Sequence, residues 1–235
     1  MNSYRKNAII VGVLFITATV ANILSDVFLG PILDAPDYLI KVSANENQVI
    51  IGALFKLIMA VACAGIAIWL YPILKKHNEA LALGYVGARI IEGVLYIVAV
   101  IGLLSLLTLS QEFVKAGAPD ASHFQALGTL LLAASDWAFM LGITVFGLGA
   151  LMLYYLLYQS KLIPRWLSVW GLIGAPLMLA GGLLGMFGSL TETSVLGTFI
   201  FLPIAVNEMV LAVWLIVKGF NSSAIVSDSA KADIK

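Results

Sequence analysis

The sequence predicts an all-α polytopic membrane protein, a bundle of six transmembrane helices with both termini cytoplasmic. Three observations carry this expectation. Hydrophobic residues make up 61% of the chain and charged ones 11%, with a mean hydropathy of +1.02, whereas a soluble domain carries about 25% charged residues. The apolar residues fall in runs long enough to cross a hydrocarbon core of about 30 Å, which takes about 20 helical residues. The basic residues gather in alternate connections between those runs, as the positive-inside rule requires of a polytopic chain.

The spans are expected at about 7–29, 49–74, 81–109, 134–158, 167–188 and 196–217. The first follows Arg5 and Lys6 and runs on past the length of a signal peptide's apolar region, so it reads as a retained helix. Asn22 and Asp26 share one of its faces. Gly30 to Asn47 holds Pro31, Asp34, Pro36 and Asp37 and is expected as a loop. The second span carries Lys56 on a face of small residues, Gly52, Ala60, Cys63 and Ala67. That lysine either snorkels to the headgroups or enters a buried ion pair.

After the third span, Gln111 to Ser122 is expected as an outer loop, holding Gly117, Pro119 and Asp120. Phe124 to Tyr158 is longer than one span needs, so its first part reads as an interfacial helix or an extension beyond the bilayer, with Asp136 near the outer boundary. The fifth span is rich in glycine and reads as a packing helix, with Gly181 and Gly185 four apart. The sixth carries Asn207 and Glu208 at its middle and Pro203 five residues before the acid, where a kink is expected. Residues 1–220 form the membrane domain; the polar tail, 221–235, lacks apolar periodicity and is expected to be disordered.

Orientation follows from the basic residues. With the N-terminus inside, the cytoplasmic side receives Arg5, Lys6, Lys75, Lys76, Lys161, Arg165, Lys218, Lys231 and Lys235, and the outer side only Lys41 and Lys115.

Ionisable residues inside the spans are the candidate site. Arg89 and Glu92 stand three apart in the third span, and Tyr85 and Tyr96 extend their stripe along the same helical face. Charge at membrane depth costs at least about 2.5–3.5 kcal/mol per residue, so this stripe must face protein or a wet cavity. Glu208 falls at a similar depth, and Asn207 adjoins it. Arg89 either bridges both acids, locking the third span to the sixth, or leaves Glu208 as a protonatable or ligand-responsive group. An outer polar tier is expected from Lys56 with Asp26 or Asp136, together with Asn22.

Several function classes are disfavoured. His77 and His123 fall in connections on opposite sides of the bilayer, so no two-histidine metal site is expected within one chain. No serine or threonine has a histidine base near it at membrane depth, so no enzyme and no cofactor is expected. A single cysteine, Cys63, excludes an internal disulfide, and the scattered lysines and arginines form no nucleic-acid face. Beyond the lipid bilayer itself, a small-molecule or ion ligand is the partner to expect. Two readings remain: binding or transport of a small molecule or ion, including a proton, through the midplane cluster; or a structural or regulatory membrane protein, envelope- or stress-related, whose charges only lock the bundle.

The runs YPILKKHNEALALGYVGARIIEG, LLYQSKLIPRWLSVWGLIGAPL and NEMVLAVWLIVKGF resemble the signature blocks of a bacterial six-span membrane family catalogued as domain-of-unknown-function family 4386. The similarity covers nearly the whole chain. It implies a bacterial plasma-membrane protein of six helices and carries over no catalytic residue. Arg89, Glu92 and Glu208 lie within those blocks.

Overall fold

A computed structural model describes residues 3–117, 121–190 and 194–221. Seven helices occupy them: α1 (Ser3–Leu33), α2 (Tyr38–Ala44), α3 (Glu46–Leu74), α4 (Glu79–Lys115), α5 (Ala121–Ser160), α6 (Arg165–Met186) and α7 (Val195–Val217). All but α2 are long and apolar enough to cross a membrane, and no strand occurs among the described residues. The chain is therefore an all-helical, multi-pass membrane protein. The connection at Pro119 and Asp120, the stretch holding Glu192 and the tail beyond Asn221 lie outside the described residues.

Two expected loops are largely helical. The first span continues through Pro31 to Leu33, and most of the following polar stretch forms α2 and the start of α3. The third continues to Lys115 rather than stopping at Leu109. Asp, Lys and Gln mark where a helix leaves lipid, but they do not break it; only Pro and Gly remove or loosen the backbone bonds. The long apolar region of the fourth span is one uninterrupted helix of 40 residues, so it extends beyond a bilayer's thickness. Pro203 lies within the continuous α7.

The six long helices close a ring in the order α1, α3, α4, α5, α6, α7, with α7 packing back against α1, while α2 lies against α4. Small residues make the joints close. A Cβ added at Gly147 of α5 would stand 2.9 Å from the Leu179 backbone nitrogen of α6, and one at Gly12 of α1 would stand 2.6 Å from the Ala212 carbonyl oxygen of α7. Gly181 and Gly185, four apart on α6, serve two different neighbours, α7 through Phe201 and α5 through Met140.

The first and last described segments, the start of α1 and the residues after α7, lie at one end of the ring. The Arg5 guanidinium donates to the carbonyls of Leu215 (3.1 Å) and Ile216 (2.6 Å), covering orphan acceptors at the α7 C-terminus. Lys76, after α3, donates to the Tyr4 hydroxyl, and the Asn221 amide donates to the Leu162 carbonyl between α5 and α6 (2.8 Å). At the same end, the Asn78 side chain caps α4 by accepting from the Leu81 amide at 3.0 Å; at the far end, the Ser194 side chain caps α7 by accepting from the Gly197 amide at 3.0 Å.

The core has two large apolar clusters separated by a thinner layer. At the termini end, Leu70, Leu74, Leu153, Leu157, Leu162 and Leu215 fill the ring. At the far end, Leu39 and Val42 of α2 pack with Leu29, Ile32, Leu103 and Leu106. Between them lie mainly small residues, Ala18, Ala21, Ala60, Ala62 and Cys63, with Met59 and Tyr96. Small side chains in a ring of six helices leave space, and it is in this layer that the polar residues meet a cavity.

Candidate functional site

A cavity of about 310 Å³ lies inside the ring, and every one of the six long helices contributes to its wall. From α4 come Arg89, Glu92 and Tyr96, at helical spacings of three and four that keep them on one face. From α7 come Phe201, Ile204, Ala205 and Glu208, and from α1 Phe15, Thr19, Asn22 and Ile23. The opposite wall is Phe139, Ile143 and Phe146 of α5, with Met59 and Cys63 of α3 and Met178 of α6. Arg89 stands ten residues inside α4 and Glu208 nine from the end of α7, so both lie about 15 Å from the termini end, half a hydrocarbon thickness.

The charges are not equivalent. Arg89 is 2% exposed and Glu92 1%. The Arg89 Nη1 sits 3.1 Å from one Glu92 carboxylate oxygen and 3.3 Å from the other, donating its hydrogen bond to the second. The remaining Arg89 contacts reach two other helices: Nε donates to the Cys63 carbonyl of α3 at 3.4 Å, and the guanidinium lies 5.1 Å from the ring centre of Phe146 on α5. Cys63 and Tyr96 bring their side chains to the Glu92 carboxylate as well. Glu92 Oε1 accepts from Arg89, while Oε2 is buried without a hydrogen-bond partner among the described residues. Glu208 is only half-buried, and no cation among the described residues comes within 4.0 Å of its carboxylate.

Of the residues singled out from sequence, Arg89, Glu92, Glu208 and Tyr96 therefore meet in one cavity, joined by Asn22 from the outer tier. Two others do not reach it. Asn207 is fully buried on the side of α7 that faces α6, where its Nδ2 donates to the Leu167 carbonyl at 3.1 Å. Tyr85 is buried one turn below, beside Gly149 of α5, and its hydroxyl has no hydrogen-bond partner among the described residues. The expected bridge from Arg89 to both acids is not formed. The ion pair is internal to α4, and what Arg89 ties together is α4 with α3, through a backbone carbonyl, rather than α4 with α7.

The outer tier resolves into one pair. Lys56 of α3 meets Asp26 of α1 at 3.4 Å, and its ammonium lies 4.6 Å from the ring centre of Phe139. Asn22 Nδ2 donates to the other oxygen of Asp26 at 3.3 Å. Asp136 is exposed and makes no ion pair within 4.0 Å among the described residues.

The aromatic wall was absent from the sequence-based site. Its signal was nonetheless there: Phe139, Ile143 and Phe146 at spacings of four and three form a stripe on the one face of α5 that turns inward.

Fold and site together define a multi-pass helical membrane protein built around a mostly apolar cavity with a few ionisable residues on its wall. Residues 10–219 match the model of a family described as "Domain of unknown function (DUF4386)", and the chain belongs to that family. No curated protein and no solved structure shows significant similarity to it.

Proposed function

We propose that the protein binds a small polar or charged solute, or a proton, in the cavity at the centre of the ring and serves its passage or sensing across the membrane without chemical turnover. One observation carries this reading: Glu208 presents a carboxylate to the cavity with no cation within 4.0 Å of it among the described residues, while Arg89, on the same wall, is engaged by Glu92. Ionisable groups at membrane depth that face a cavity mark ligand or ion pathways, and about 310 Å³ is at the lower end of small-molecule sites, about 300–1,000 Å³. A structural role is favoured for the outer tier alone, where Lys56 and Asp26 join α3 to α1.

The test is solvation. On a Cys63→Ser background, cysteines at Thr19 and Ala205 are expected to react with a small maleimide at least about tenfold faster than one at Val213, since the thiolate needs water to form. Uniformly slow labelling would mean a dry cavity and end the binding reading.

The same proposal places the protein in a bacterial plasma membrane with the termini end in the cytoplasm. Arg5, Lys75, Lys76, Lys161, Arg165 and Lys218 belong to the segments at that end, and positive charge is retained inside. Reporters fused after Lys76 and after Lys235 should both signal cytoplasm; an external signal from either would reverse the assignment.

A further inference from the structure

We infer that the solute is an amphipathic monocation, a protonated amine on an apolar body of about aromatic-ring size, held by its ammonium at Glu208. This deepens the solute-binding reading and rests on it.

The polar wall is rich in acceptors. Arg89 and Glu92 neutralise one another behind the surface, at 2% and 1% exposure, which leaves Glu208 as the net charge facing the cavity. Asn22 adds a second acceptor. Its Nδ2 donates to the Asp26 carboxylate, which can only accept, so its Oδ1 is the other end of the amide, and that oxygen is buried without a partner. A carboxylate on the cavity wall, with an orphaned amide oxygen buried in a residue of the same wall, calls for a ligand with N–H donors and positive charge.

The rest of the wall specifies the body. Phe15, Phe139, Phe146 and Phe201 with Met59 and Met178 form an apolar, aromatic lining, suited to a flat hydrophobic group and to the methylenes beside an ammonium. The cavity also reaches the surface that would face lipid. α1 and α7 touch at Gly12 and Ala212; two and three turns further along, the facing residues Thr19, Ala205, Ile23 and Phe201 line the cavity, and Ile23 and Ala205 are exposed. A solute whose apolar end is compatible with hydrocarbon fits a cavity that opens there, whereas a fully hydrated ion would not.

The experiment compares two isosteres on the full-length protein in lipid nanodiscs, phenethylamine and 2-phenylethanol, by equilibrium binding at neutral pH. Phenethylamine is expected to bind about ten- to a hundredfold more tightly, the range for a charge-assisted hydrogen bond out of bulk water. Glu208→Gln should remove that preference while retaining binding of the alcohol. If Glu208→Gln does not fold, Thr19→Trp fills the cavity without touching the charge and should abolish the preference instead. A preference surviving in the folded variant would place the amine elsewhere and overturn the proposal. Equal affinity of amine and alcohol for the unsubstituted protein would overturn the cationic ligand but leave a solute cavity standing. Binding of neither would remove both.

Discussion

Arg89→Ala is expected to lose about 3–5 kcal/mol of stability, enough to remove most of the folded protein, because the substitution leaves Glu92 as an uncompensated charge in a buried site. Arg89 supplies that acid's only ion pair among the described residues, and it also donates to the Cys63 carbonyl and covers the Phe146 ring. The partner that should rescue it is therefore Glu92. Arg89→Ala with Glu92→Gln should recover a large part of the monodisperse yield on size-exclusion chromatography, since the stranded charge is gone. Arg89→Ala with Glu208→Gln should recover little, because Glu208 makes no ion pair with the arginine. Equal rescue by the two acids would mean that Arg89 is shared between them.

Gly12→Val is expected to open the joint between α1 and α7. Its first added carbon would fall 2.6 Å from the Ala212 carbonyl oxygen and 2.6 Å from Ile216 Cγ1. The isoleucine can change rotamer, but the carbonyl is fixed within a helix, so the helices themselves must separate. Overpacking of this kind costs about 1–3 kcal/mol, here with loss of the Arg5 contacts to the α7 carbonyls that depend on the same approach. Thermal unfolding in nanodiscs reads the stability. A disulfide trap between cysteines replacing Ala8 and Gly219, which adjoin each other in the intact protein, reads the separation; unchanged trapping and unchanged melting would show that the joint yields without cost.

The six spans were legible because hydropathy reports directly on the solvent a segment needs. For the same reason the residues around Asp37 and Gln111 misled: polarity there marks departure from lipid, and the backbone keeps its helical bonds in water as well as in hydrocarbon. Within the site, Arg89, Glu92, Glu208 and Tyr96 could be found because charged and hydroxylated groups stand out at that depth. Which acid Arg89 would choose could not be found, since it depends on a rotamer and on the distance between α4 and α7, neither of which is a local property of the chain. The same holds for Asn207, adjacent to Glu208 yet turned by one helical step of about 100° toward α6. The ring closure by α1 and α7, between the first and last spans of the chain, is the longest-range fact in the fold and is written in a few scattered residues, among them Gly12 and Arg5.

Helix length has a consequence for how the far side of the bundle looks to a diffusing molecule. α5, at 40 residues, is about 60 Å long, and α4, at 37, about 55 Å, while α6 and α7, at 22 and 23, are each about 35 Å. α5 and α6 set out together from the turn at Lys161, so the far rim is stepped: a tall parapet of α4 and α5, backed by α2, faces a low sill of α6 and α7. The apolar cluster at that end draws on α1 to α5 and includes nothing from α6 or α7. The far rim is thus high on the flank of α4 and α5 and low on the flank that carries Glu208.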